Sequence, residues 1–321
     1  MTMPWTMLMA EDGVAGLDVS ERSVSAVRLR RKSKGHWEVR NAGVMELVQD
    51  ATDQEVARVI HTLWRQHQLS CTSVCYGQRS PTLLVRHFRY PFLTDAELRS
   101  TLRLAVEEEF QLPVEQYYLD WHLFRQPGRP VSQPREDQVE GFFVAVPKRD
   151  AQRQLGLLAA AGLQPVILDV RSTALANLFL AFHGDGQTGE AVGLVNLQDH
   201  CVDLALLGDN RFLHARSIYS PTRVWEQDWD RLVDNIRNEL KYFEFKLSQA
   251  SVRKLVLVGP ILRARELREH LQEALALPVE QWDPRREPGF HVTRAARAAW
   301  QDDAHLPLSV ISIGLAMRIN G

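Results

Sequence analysis

Apolar positions recur along this chain at two spacings, every second residue or every third and fourth, and the changeovers mark its elements. Alternation from Val14 to Leu29, and again from Ala191 to Leu206, predicts two β-hairpins; Gly35 to Val39 adds a turn and a third strand after the first. Val56, Ile60, Leu63 and Trp64 fall on one face of a helix over Asp53 to His67. Strands are expected at Thr72 to Tyr76 and Thr82 to Tyr90. Thr94-Asp-Ala-Glu97 is a capping box opening a helix with Leu98, Leu102, Ala105 and Val106 on one face, which Pro113 stops. The Pro- and charge-rich stretch Gln126 to Asp137 reads as an exposed loop between strands at Tyr118 to Phe124 and Gly141 to Val146. A helix over Arg149 to Ala161 ends at Gly162, and strand Pro165 to Val170 and helix Ser172 to Phe182 close the first half. The second half continues with strand Phe212 to Ile218, helix Trp229 to Leu247, strand Lys254 to Val258, helix Ala264 to Ala276, strand Val279 to Trp282 and helix Leu308 to Met317.

The two hairpins are one phrase written twice, with Gly16-Leu-Asp18-Val-Ser20 in the first and Gly193-Leu-Val-Asn196-Leu-Gln198 in the second. This duplication predicts an α/β protein of the actin-like (ASKHA) type, two lobes built on repeated β-hairpin/α units with a small α/β subdomain inserted. The expected divisions are 12–71 with 151–182 and 308–321 for the first actin-like subdomain, 72–150 for the insertion and 183–307 for the second lobe. In such a fold each hairpin turn points into the interlobe cleft, where backbone N–H groups wrap a phosphate and an Asp holds the water shell of Mg²⁺. The literal Gly-x-Gly-x-x-Gly at Gly184, Gly186 and Gly189 follows a helix and precedes a strand, the reverse of a dinucleotide fingerprint, and reads as a hinge between lobes.

Composition narrows the classes further. The 321 residues are 45% hydrophobic and 24% charged with a net charge of −2, which argues against a general nucleic-acid binder. Arg28-Leu-Arg-Arg-Lys32 reads as a solvated strand end. No run approaches the ~20 apolar residues of a membrane span, and Met1 to Ala10 lacks the basic flank of a secretory signal, so a cytoplasmic location is expected. Cys71, Cys75 and Cys201 form no Cys-x-x-Cys pair and signal neither disulfides nor zinc.

At this point the residues resemble a family, the actin-like PilM proteins of type IV pilus assembly, relatives of the cell-division protein FtsA and of the cytoplasmic part of the type II secretion L protein. The resemblance is carried by Gly16 to Ser20, Arg103 to Pro113 followed by Tyr118-Leu-Asp120, Val144 to Pro147, Gly162 to Asn177, Asn235 to Phe243, Leu255 to Gly259 and Ile313 to Met317, in that order. It implies an ATP-binding fold on the cytoplasmic face of the inner membrane. There it would grip the short cytoplasmic tail of a PilN-like membrane protein and link the alignment complex to the motor.

The nucleotide stations of that family depart in this chain. Ser20 stands where a Gly follows Asp18 and Val19; Asn196, Leu197 and Gln198 stand where Asp-x-Gly is expected; Gly259-Pro260 replaces a pair of glycines; Asn235 and Asn238 replace a Glu and an Arg beside the base. Non-glycine residues forced to positive φ cost about 1–2 kcal/mol each, so the three replacements could remove roughly 3–5 kcal/mol of phosphate-wrapping geometry unless the turns relax into another shape. At about 1.4 kcal/mol per decade, a micromolar ATP site would become a millimolar one.

The leading expectation is therefore a non-enzymatic scaffold with no cofactor, degenerate at Asp18, Val19, Ser20, Asn196, Gln198, Asn235, Asn238, Gly259 and Pro260. Its partners would be a PilN-like tail and other pilus alignment or motor proteins, with no nucleic acid, membrane contact only through those partners, and self-association left open. One alternative is a nucleotide-gated member that binds ATP with Mg²⁺ through Asp18 and main-chain groups with weak or no hydrolysis; a second is a type II secretion L-like protein. A sugar or acetate kinase would need a base such as Asp169 or Asp199, and Asp169, ahead of the Ser172 helix, has the commoner role of bonding a helix N-terminus. Glu107 to Glu109 read as a solvated helix face, and Trp225, Trp229, Tyr242 and Phe243 as lobe aromatics.

Overall fold

The computed structural model describes residues 13–33, 35–111, 113–124, 138–184, 191–198, 201–208, 211–219, 228–246, 251–259, 264–300 and 305–320. β1 (Ala15–Val19), β2 (Ser23–Ser33) and β3 (His36–Glu46) form an antiparallel meander, longer than the sequence pattern marks because polar residues carry β2 and β3 out past the core. α1 (Asp53–Gln66) follows behind a capping box at Thr52 and Glu55, and β4 (Ser73–Gln78) returns parallel to β1. β5 (Leu84–Pro91), α2 (Asp95–Phe110), β6 (Tyr117–Leu123) and β7 (Gln138–Pro147) come next; the predicted capping box of α2 is present, with both Thr94–Glu97 bonds made. α3 (Lys148–Ala160), β8 (Gln164–Val170) and α4 (Arg171–His183) complete this half.

The second phrase folds as β9 (Ala191–Leu197), β10 (Cys201–Gly208) and β11 (Arg211–Tyr219), again antiparallel, followed by α5 (Trp229–Lys246), β12 (Val252–Val258), α6 (Ala264–Leu275) and β13 (Val279–Gln281). A short strand β14 (Phe290–Val292) and helix α7 (Arg294–Ala299), neither marked by periodicity, precede α8 (His305–Asn320). Three residues and six residues are too few for a period to be read from them.

The strands assemble into three sheets. β14-β3-β2-β1-β4-β8 form the first, β11-β10-β9-β12-β13 the second, and β5-β7-β6 a third. Two strands fall outside the ranges the sequence suggested. β4, expected in the insertion from residue 72, pairs between β1 and β8; β14, expected in the second lobe, pairs parallel to β3.

Burial explains the layering. α1 and α3 cover one face of the first sheet through Ile60, Leu63 and Leu158, and α5 and α6 cover the far face of the second through Ile236, Phe243 and Leu271. Between the sheets lie α4 and α8, both so uniformly apolar that each buries residues around its circumference; Leu175, Leu178, Ile313 and Leu315 join the two sheets in one core. α2 and the third sheet keep a separate core around Phe88, Leu102 and Phe143. Gly16, the first residue of the repeated phrase, admits this arrangement: a Cβ there would lie 2.0 Å from the Ser312 carbonyl oxygen of α8. No described helix is long and apolar enough to cross a membrane.

Candidate functional site

Each hairpin connection is bonded back onto its own strands where it is described. In the first, Ser20 N–H donates to the Ser23 carbonyl at 2.8 Å, while Ser20 Oγ accepts from the amides of Arg22 at 3.3 Å and Ser23 at 2.9 Å. The amides that an open glycine turn would present to a phosphate thus end on a serine hydroxyl. In the second, Gln198 N–H donates to the Cys201 carbonyl at 2.9 Å. Neither Ser20 nor Gln198 is among the described non-glycine residues with positive φ, which are Asp50, Gln68, Gln111 and Ala276, so neither replacement carries left-handed strain.

At the base of the hairpins lie three charged groups from three elements. Asp18 is next to last in β1, Asp203 is third in β10 and Arg171 opens α4; they are 2%, 1% and 4% exposed, buried where unpaired charge would be prohibitive. Arg171 Nη1 donates to Asp18 Oδ1 at 2.5 Å and Arg171 Nε to Asp203 Oδ2 at 3.1 Å. Asp203 is held further by Ser217 Oγ at 2.7 Å, and Cys201 Sγ lies 3.7 Å from Oδ1. Burial pushes the Asp18 carboxyl above its ordinary range against the pull of Arg171. Burial also opposes charge on Arg171, but the fields of Asp18 and Asp203 outweigh it and hold the guanidinium protonated. Burial raises the Cys201 thiol, helped by Asp203.

The predicted stations meet only in part. Asp18, Val19 and Ser20 lie together at the first turn, and Asn196 Nδ2 reaches Asp203 Oδ2 at 3.5 Å. Gly259, at φ +98°, closes on the second hairpin: a Cβ there would lie 2.4 Å from Asn196 Oδ1. Asn235 instead turns its amide back to the Arg231 carbonyl at 2.9 Å, and Asn238 is exposed; no hydrogen bond among the described residues ties either to the other stations. Pro260, Asp199, the second and third glycines of the Gly-x-Gly-x-x-Gly, and Trp225 lie outside the described residues. Asp169 Oδ1 accepts from Val170 N–H at 2.8 Å and Thr173 Oγ1 at 2.7 Å, the helix-terminus role expected of it. Arg171 and Asp203 were not anticipated. Each is the lone charge inside a run of apolar and small residues, Val170 to Leu180 and Cys201 to Leu207, and that isolation is the signal that marks them.

A second concavity of about 610 Å³ lies between the third sheet and the β8–α4 junction. Its walls include Tyr118, His122, Phe124 and Phe142 on one side and Asp169 and Thr173 on the other. β6 and β8 are both outermost strands of their sheets. Arg318 Nε lies 3.3 Å from Asp169 Oδ2 at its edge. No cluster of three or more metal-ligating side chains occurs among the described residues.

Two sheets on repeated hairpins, sharing α4 and α8, with a third sheet inserted before α3, define an actin-like protein. The sequence model of the family described as type IV pilus assembly protein PilM matches residues 16–220, and this chain belongs to that family. Among solved structures, the PilM-PilN type IV pilus biogenesis complex aligns over 96% of this chain and 98% of that chain, with a TM-score of 0.78 at 18% identity. A Bacteroides thetaiotaomicron protein of unknown function with an actin-like ATPase fold aligns over 94% and 100%, with a TM-score of 0.51 at 10% identity. The cytoplasmic domain of EpsL, an inner-membrane component of the type II secretion system of Vibrio cholerae, covers 95% and 94% at a TM-score of 0.49 and 12% identity. No curated protein matches the sequence.

Proposed function

We propose that this chain is a non-enzymatic scaffold of a type IV pilus assembly complex that grips the cytoplasmic tail of a PilN-like membrane protein in the groove between the third sheet and the β8–α4 junction. The observation that carries the reading is the groove itself, about 610 Å³ with aromatic walls and two outermost strands beside it. An extended peptide laid there can bond backbone to backbone while its side chains seat among Tyr118, His122, Phe124 and Phe142. The partner named in the PilM-PilN complex supports this choice of ligand. The protein works in the cytoplasm and meets the inner membrane through that tail.

Calorimetric titration of the full chain with a synthetic tail from the PilN-like protein of the same genome tests the reading. Saturable binding that Phe142→Arg abolishes is expected; silence with every PilN-like tail and every bitopic secretion-protein tail sinks it. Titration with Mg·ATP runs alongside. Micromolar heat from the natural protein would turn the reading toward a nucleotide-gated one, whereas silence, with or without heat from a Ser20→Gly, Asn196→Asp, Gln198→Gly variant, supports the scaffold.

A further inference from the structure

Mg²⁺ with a nucleotide is the group that an actin-like cleft implies, and three observations bear on whether these residues fit it. The two carboxylates at the seam, Asp18 and Asp203, already accept from one internal cation, Arg171. The amides of Arg22 and Ser23 donate to Ser20 Oγ. Gly259 abuts Asn196 and the Leu197 carbonyl, closing the turn that would flank a base. Carboxylate, amide and turn are each satisfied from within the chain, so the residues do not fit a metal–phosphate group.

We infer that Arg171 is the built-in ligand of the interlobe cleft, a guanidinium that bridges the two hairpins and holds the lobes in one arrangement without nucleotide. The bridge spans the molecule: Asp18 belongs to the first sheet, Asp203 to the second, and Arg171 stands on the helix packed between them. Arginine suits the task because its planar fork offers donors in two directions and keeps its charge when buried. Aromatic, thiol and cationic neighbours surround it. Tyr76 is buried beside it, Tyr219 and Cys201 flank the Asp203 side, and Arg79, 6.0 Å from the Tyr219 ring centroid, supplies a second positive field to Asp18.

The bridge also adjoins the proposed tail groove. Arg171 follows Asp169 and Val170 and precedes Thr173, all three of which line the groove, so one strand–helix junction serves both sites. The inference rests on the scaffold reading for its purpose, a fixed platform for a tail, but its test is separate.

Spin labels at Arg58→Cys on α1 and Glu273→Cys on α6, read by pulsed electron–electron resonance in the full chain, measure the distance between lobes; the native cysteines are all buried. The natural protein should give one narrow distance that millimolar Mg·ATP leaves unchanged. Arg171→Ala should lose that narrow distance, and should gain a Mn²⁺ signal from the two carboxylates it strands. Should that variant fail to fold, the neutral Asp18→Asn, Arg171→Met, Asp203→Asn variant removes the stranded charge and should fold with a broadened distance. A shift of the natural protein with Mg·ATP overturns the inference, as does a narrow, unshifted distance in whichever bridge variant folds. Tail binding is scored by calorimetry, so either result leaves the two readings distinguishable.

Discussion

Asp203 lies directly across from Asn196 in the pair of β9 and β10, the register that sets Ser25 across from Asp18 in the first hairpin. The carboxylate that the repeat places on the first strand of one hairpin has its counterpart on the second strand of the other. Asn196 is thereby an amide donor to Asp203, not a weakened copy of Asp18. Asn196→Asp should therefore destabilise the protein by about 1–3 kcal/mol, since it sets a second carboxylate against Asp203 and removes a donor. The like-charge pair raises the folded-state pKa of one member, so the deficit should shrink as pH falls. Urea midpoints at neutral pH and pH 5 measure both.

Arg171 gives a graded series. Arg171→Met leaves two buried carboxylates without their bridging cation and should cost about 3–5 kcal/mol. Asp203→Asn should cost less, because Arg171 keeps Asp18 and the trio's charge balances. Placing Asp203→Asn in the Arg171→Met background should recover part of the loss, a sign reversal that a double-mutant cycle reads directly.

Gly259 is required by geometry. A Cβ at φ +98° would meet Asn196 Oδ1 at 2.4 Å and the Leu197 carbonyl at 2.9 Å. Gly259→Ala should lower stability by about 1–3 kcal/mol, seen in thermal unfolding, and pairing it with Asn196→Ala should relieve the side-chain part only.

His214 on β11 is fully buried, with Nε2 3.1 Å from Glu239 Oε2 on α5 and Nδ1 unbonded. Burial holds its pKa below the ordinary 6.5; Glu239 pulls it back up, and Arg86 and Arg216 push it down. The unfolded chain thus binds a proton that the folded chain resists. Stability from this group is complete above pH about 6.5 and declines as pH falls through the lower folded value. His214→Gln should flatten that stretch of the stability–pH curve between pH 7 and 5.

In the groove, Tyr118→Ala should weaken tail binding roughly 30-fold, the scale of an aromatic hot spot, with the thermal midpoint little changed because the Tyr118 side chain is exposed on an outer strand. Calorimetry together with differential scanning calorimetry separates lost affinity from lost fold.

Local chemistry was enough to reveal the elements that carry their own signal. The Thr94–Glu97 capping box, the apolar stripe of α1 and the repeated hairpins are patterns between near neighbours, and the structure contains all three. β14 and the sheet partner of β4 were not legible, since three residues carry no period and a strand does not state which sheet it will join. The same holds at the cleft. Ser20, Asn196 and Gln198 could be seen to depart from a phosphate-binding pattern, but what replaced it could not be seen, because Arg171 is 153 residues from Asp18 and 32 from Asp203.

The sequence by itself determined the duplication, the order of the longer elements and the loss of glycines from the turns, all consequences of residue type and spacing. Only the tertiary structure decided that two buried carboxylates converge on one arginine and that the third sheet and β8 leave a groove between them. Both depend on distances between groups far apart in the chain, which burial and packing set and no local pattern encodes.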